Sequence, residues 1–100
     1  MPLARVQRIE ILDECDTPRG WVYRLEVHFE DGAATQHEAS MSWVDHEYWT
    51  SGRIAPSRVI EAVVRFVLEH ECTLPQKFDA ATARRWCRDI DRDLPAMIEP

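Results

Sequence analysis

Three of the four histidines, His28, His37 and His46, stand nine residues apart. Imidazole is the commonest protein ligand for metal ions, so this series raises metal binding first. A tetrahedral ion needs its ligands on one side of the chain, and the local patterning decides whether they are. Trp21–Glu30 alternates: Trp21, Tyr23, Leu25, Val27 and Phe29 take one face, and Val22, Arg24, Glu26, His28 and Glu30 the other. Asp31-Gly32 then marks a hairpin. A two-residue loop would set Gln36 and Glu38 on the apolar face beside Val27 and Leu25, where burying polar groups is costly. A three-residue loop, Glu30-Asp31-Gly32, with Gly32 left-handed in a G1 bulge, shifts the parity by one. Thr35, His37, Ala39 and Met41 then share the face of Leu25, while Glu38 lies opposite Arg24. In this register the sheet divides His28, facing solvent, from His37, facing the core. No metal is expected from the series, and His37 reads as a core-facing histidine bonded to a backbone or side-chain partner.

A second cluster, Glu69-His70-Glu71-Cys72, closes a helix and would meet Cys87 if the last two helices packed together. Adjacent helix positions diverge by about 100°, which is poor for shared ligation. A solvated helix end, with His70 favoured by the negative end of the helix dipole, is the simpler expectation. The three cysteines, Cys15, Cys72 and Cys87, fit no disulfide or zinc spacing and read as free thiols. Cys15 lies among Asp13, Glu14 and Asp16, and negative neighbours disfavour the thiolate a nucleophile needs. There is no nucleophile elbow and no HExxH, and the three glycines are all read into turns, which leaves none for a phosphate-cradling loop. The expectation is a protein that is not an enzyme, with no catalytic residue, no metal and no cofactor.

Trp43-Val44-Asp45-His46-Glu47-Tyr48-Trp49 is the most suggestive run. Three aromatics in seven residues exceed what one buried face of a short helix holds. Residues 44 and 48 share a face, and 43 lies well around the cylinder from them. Trp43, Tyr48 and Trp49 are therefore the candidate interaction residues, since exposed aromatics anchor protein interfaces. The competing reading packs both tryptophans over the sheet and under the following helix. Arg84, Arg85, Arg88 and Arg92 are interleaved with Asp89, Asp91 and Asp93, a mixture that suits a salt-bridged exposed face better than a phosphate groove.

The elements that must position these residues change character halfway along the chain. Strands are expected at 4–12, 21–30 and 33–41, with a connecting loop over Asp13–Gly20 marked by Pro18 and Gly20. Helices are expected at 43–50, 56–71 and 80–91. Ser42 caps the first and Gly52 ends it. Pro56 suits the first turn of the second, whose stripe is Val59, Ile60, Val63, Val64, Val67 and Leu68. Asp79 caps the third, where Ala83, Trp86, Cys87 and Ile90 recur at helical spacing before Leu94-Pro95 ends it. Strands first and helices after predict one α+β domain over residues 1–100: a three-stranded antiparallel meander followed by three helices packed on one face.

Residues 1–50 carry ten acids and four arginines, so the whole net charge of −6 resides there, and residues 51–100 are neutral. That balance argues against nucleic-acid binding, which needs clustered positive charge. The longest apolar run, Val63-Val64 and Phe66 to Leu68, is interrupted by Arg65 and is far short of a membrane span. Without a signal-like apolar stretch near Met1, the cytoplasm is the expected compartment.

Gly20-Trp21, the alternating strand, Asp31-Gly32, His37, Tyr48–Pro56, Val63–Glu71 and Phe78-Asp79 together resemble a family of small uncharacterised bacterial proteins. Its members run GW, an alternating strand, DG, H-x-V, a GG-x-x-P turn, F-x-F-L-L-E-R-E and FDL…FP. The resemblance spans residue 20 to about 95 and implies the same fold and a bacterial or phage origin, with no activity attached. Here Ser51-Gly52 replaces the double glycine, His70 stands where arginine is usual, and Ala81–Arg92 follows the family's ending only loosely. The expected function is a non-enzymatic protein-interaction or regulatory module with an unidentified protein partner, or a homodimer through a strand edge or helix. Two other classes stay open: a phage or mobile-element inhibitor with an acidic, nucleic-acid-mimicking face, and a small metal-binding protein or enzyme.

Overall fold

Alternation and helical stripe both become structure, but the chain adds a strand and breaks a helix. The computed structural model describes residues 5–51, 54–70, 74–87 and 89–97. Strands β1 (Val6–Thr17), β2 (Gly20–Phe29) and β3 (Ala34–Ser42) lead into helices α1 (Trp43–Thr50) and α2 (Pro56–Glu69). A short strand β4 (Lys77–Asp79), a 3₁₀ turn (Ala80–Thr82), α3 (Ala83–Trp86) and α4 (Ile90–Met97) complete the order.

The β2–β3 hairpin has the bulged register expected of it. Leu25 pairs with His37, Arg24 with Glu38 and Tyr23 with Ala39. Gly32 is left-handed at φ 91°; its N–H donates to the Phe29 carbonyl at 3.0 Å, and the Phe29 N–H donates to Ala33 O at 2.9 Å. Asp31 Oδ1 accepts the Ala33 N–H at 2.9 Å, a side-chain turn that fixes the loop.

The sheet corrects the three-stranded meander. Among the described residues it has four strands in the order β1-β2-β3-β4, antiparallel except that β4 lies parallel to β3. Lys77-Phe78-Asp79 is too short to display a period of two, so the added strand left no pattern to read. A parallel neighbour needs a long crossover, which α1 and α2 supply.

β1 also runs on to Thr17, through the segment expected to be a loop. Only Pro18 and Arg19 separate it from Gly20, whose N–H donates to Thr17 Oγ1 at 3.0 Å. Irregularities between Val6 and Arg8 and between Ile11 and Asp13 shift its parity twice, which masked the strand pattern.

The apolar sheet face carries Ile9, Tyr23, Leu25, Val27, Ala39 and Met41, all buried. α2 covers it with Val59, Ile60, Val63, Val64, Phe66 and Val67, each worth about 1.5–3 kcal/mol of burial. Phe66 joins this stripe and Leu68 is only partly buried, so the stripe is rotated slightly from expectation. The expected third helix is broken in two. Asp79 Oδ1 accepts the Ala81 N–H at 2.9 Å and caps the 3₁₀ turn, while Cys87 takes an extended conformation that stops α3. α4 then continues through Pro95 to Met97; near the end of a short helix, proline forfeits only one ladder hydrogen bond. Ala83, Cys87, Ile90 and Leu94 are buried. Among the described residues no helix is long and apolar enough to cross a membrane.

Candidate functional site

α1 is short, and its ends are fixed by local chemistry. Ser42 is extended, its Oγ accepts the Asp45 N–H at 3.1 Å, and its hydroxyl donates to Asp45 Oδ2 at 2.9 Å. The Trp43 N–H donates to Arg19 O at 2.9 Å and ties the helix start to the β1–β2 turn. At the other end Ser51, left-handed at φ 55°, donates its N–H to Glu47 O at 2.8 Å. Ser51 thus closes the helix one residue ahead of the expected Gly52, which lies outside the described residues.

On a helical wheel residues 43, 47, 44 and 48 span an arc of about 140°, and 45, 49 and 46 occupy the other side. The structure divides α1 along that line. Trp49 is 3% exposed and its indole N–H donates to Asp91 Oδ1 at 2.8 Å, fastening α1 to α4. Asp45 is also buried. His46 donates from Nε2 to the Ile54 carbonyl at 2.5 Å. On the other side Trp43 is 55% exposed, Val44 77% and Tyr48 64%, with Glu47 exposed beside them. Trp43 is not loose: Trp21 meets it edge-on at 6.4 Å between centroids and meets His46 at 5.2 Å. Of the three candidate interaction residues, Trp43 and Tyr48 share the outward face and Trp49 is a structural anchor. Only one of the two tryptophans packs inward.

The histidines take separate places. His37 is buried; its Nδ1 donates to Pro75 O at 2.7 Å and its Nε2 meets Thr35 Oγ1 at 2.8 Å. A carbonyl only accepts, so the proton sits on Nδ1 and Nε2 takes the threonine hydroxyl when the ring is neutral. This clasp holds the approach to β4 against the hairpin. His70 stacks on Phe66 at 3.9 Å and donates from Nδ1 to the Phe66 carbonyl at 2.9 Å. His28 lies on the open face of the sheet, where its Nε2 is 2.8 Å from Glu26 Oε1 and 3.5 Å from Glu10 Oε2.

That open face mixes both signs of charge. Arg24 pairs with Glu38 across the strands, Lys77 Nζ is 3.4 Å from Glu38 Oε2, and Arg8 is 3.6 Å from Glu10 Oε2. The grouping of Glu10 with Glu26 and His28 was not visible in the sequence, because the β1–β2 register could not be read across the segment expected to be a loop. Register alone exposes it: Glu10 pairs with Glu26.

A second pairing escaped for the same reason. Tyr23 is fully buried, and its hydroxyl donates to Glu14 at the far end of β1. Burial first, then this hydrogen bond and the charges of Glu14 and Asp16, push the phenol well above its ordinary range.

Cys15 is a free, exposed cysteine on β1. Cys87 is disulfide-bonded, which corrects the expectation of three free thiols. Glu71 and Cys72, of the cluster at the end of α2, lie outside the described residues. In the arginine row, Arg92 pairs with Asp89 at 3.3 Å and with Asp93 at 3.0 Å; the Arg92 hydrogen bond holds the exposed Asp93 carboxyl below its usual value. Arg85 is exposed, and the side chain of Arg84 and all of Arg88 lie outside the description. Compared with protein-family models, with curated proteins and with solved structures, the chain matches none.

Proposed function

We propose that this protein is a non-enzymatic interaction module that docks a protein partner through the outward face of α1. The observation that carries this reading is the exposure of Trp43, Val44 and Tyr48 together on one short, firmly capped helix. A large apolar side chain held in water costs free energy that a partner's pocket recovers, and tryptophan and tyrosine recover most. The caps, the Trp49–Asp91 bond and the Trp21 contact pre-organise the face, so little entropy is lost on docking. Glu47 lies within the patch, and residues 1–50 carry the chain's net charge of −6. The partner that fits is a protein with an apolar groove rimmed by lysine or arginine. The acidic-mimic reading has less support, because the open sheet face interleaves Arg8, Arg24 and Lys77 with its carboxylates.

Affinity isolation from the native cell with wild type and with Trp43→Ala/Tyr48→Ala tests the reading, followed by titration of the purified partner. Loss of one partner by a double variant of unchanged circular dichroism supports it. Equal recovery and equal affinity would refute it. Self-association of the wild type, abolished in the double variant, would replace the heterologous partner with a second copy.

A further inference from the structure

We propose that Glu10, Glu26 and His28 form a site for a zinc-type divalent ion on the open face of the sheet. The three ligand atoms, one from each side chain, all lie within 4.8 Å of one another. A tetrahedral ion with bonds of about 2.0–2.1 Å sets its ligands about 3.3 Å apart. The His28 Nε2 to Glu10 Oε2 distance is 3.5 Å, and the 2.8 Å to Glu26 Oε1 needs only a small opening.

Two further features favour a divalent ion here. Glu10 and Glu26 are direct cross-strand partners, and the repulsion of like charges so placed, offset by Arg8 from the Glu10 side alone, would be offset from both sides by an ion between them. Gln36 donates from Nε2 to Glu26 Oε2 at 3.0 Å, which orients the carboxylate and leaves Oε1 turned to His28. Outer-sphere hydrogen bonds of this kind aim ligands in metal sites. Mixed imidazole and carboxylate donors suit zinc better than calcium or magnesium, which prefer oxygen alone. Binding replaces the Nε2 proton by the ion, with the proton moving to Nδ1 or, from the imidazolium, released to solvent. Arg8 Nη2, 3.6 Å from Glu10 Oε2 and 3.5 Å from His28 Nε2, is the cation the metal must displace. The site shares no residue with the face of α1 and stands or falls apart from it.

The test is calorimetric titration of the full chain with Zn²⁺, in a Cys15→Ser background to remove the exposed thiol, and with Co²⁺ to read coordination by its visible spectrum. His28→Ala and Glu26→Gln should each weaken binding by more than the about 10-fold that loss of an outer-sphere partner costs. Arg8→Ala, which removes the competing cation, should tighten it several-fold, a gain that general loss of structure would not give. His70→Ala should change nothing. The proposal is overturned by absence of binding up to about 1 mM, by affinity that survives His28→Ala, or by affinity that vanishes with Cys15→Ser alone.

Discussion

Replacing Tyr23 with phenylalanine removes one hydroxyl from the middle of the sheet and leaves the ring's packing in place. That hydroxyl donates to Glu14 from a fully buried side chain. Hydrogen bonds to charged groups contribute about 1.5–3 kcal/mol, and Glu14, which is exposed, recovers part of this by hydration. The expected loss at neutral pH is therefore about 1–2 kcal/mol. The advantage shrinks in alkali. Because the folded phenol titrates above its ordinary value of 10.0, the folded state keeps a proton that the unfolded state releases. The wild type's contribution is complete below the unfolded value and is lost as pH rises past it, at up to about 1.4 kcal/mol per pH unit. Between pH 9 and pH 11 the wild type should lose about 1.4 kcal/mol more than the variant, so that the two converge. Urea unfolding followed by far-ultraviolet circular dichroism at pH 7, 9 and 11 measures both effects. A gap that stays constant from pH 7 to 11, or a variant as stable as wild type at pH 7, would show that the Tyr23–Glu14 bond does not stabilise the fold.

Other expectations follow from single contacts. Trp49→Phe keeps most of the buried ring but removes the indole donor to Asp91, and should cost about 1–2 kcal/mol in chemical denaturation; no loss would show the α1–α4 bond to be unimportant. Ser42→Ala deletes the α1 cap at about 1 kcal/mol, read as a lower thermal midpoint. Gly20→Ala would place a Cβ 2.0 Å from the Met41 carbonyl oxygen and 2.8 Å from Ser42 Cα. Backbone atoms cannot rotate away, so this variant should be among the most destabilised single substitutions, and a wild-type midpoint would contradict the close β2–β3 approach.

What the sequence disclosed depended on whether polarity had a clean period. The β2–β3 register was legible because only one loop length kept Gln36 and Glu38 off the face of Leu25. The same sorting sent His28 and His37 to opposite faces. α2 was legible from Pro56 and a stripe recurring every three to four residues. β1 was half legible: Ile9 and Ile11 point inward, but two changes of parity and the acidic run Asp13–Asp16 disguised its second half as loop. β4 is three residues long and announces itself only through the burial of Phe78. The helix expected at 80–91 failed at Cys87, whose extended backbone no propensity foretells. In α1 the side facing out was not readable, since aromatic and polar residues alternate around the whole cylinder; Asp91, from a distant helix, decides that Trp49 and not Trp43 turns inward.

The proposal that α1 is a docking face is tested most directly with the purified partner. Its affinity should be measured for wild type, for Trp43→Ala/Tyr48→Ala, and for Arg24→Ala/Lys77→Ala on the open sheet face. The first double variant should weaken binding by about 100-fold, as losing hot-spot aromatics does, while the second should bind as wild type does. Weakening by the sheet-face substitutions, with the aromatic ones silent, would place the docking face on the sheet and not on α1.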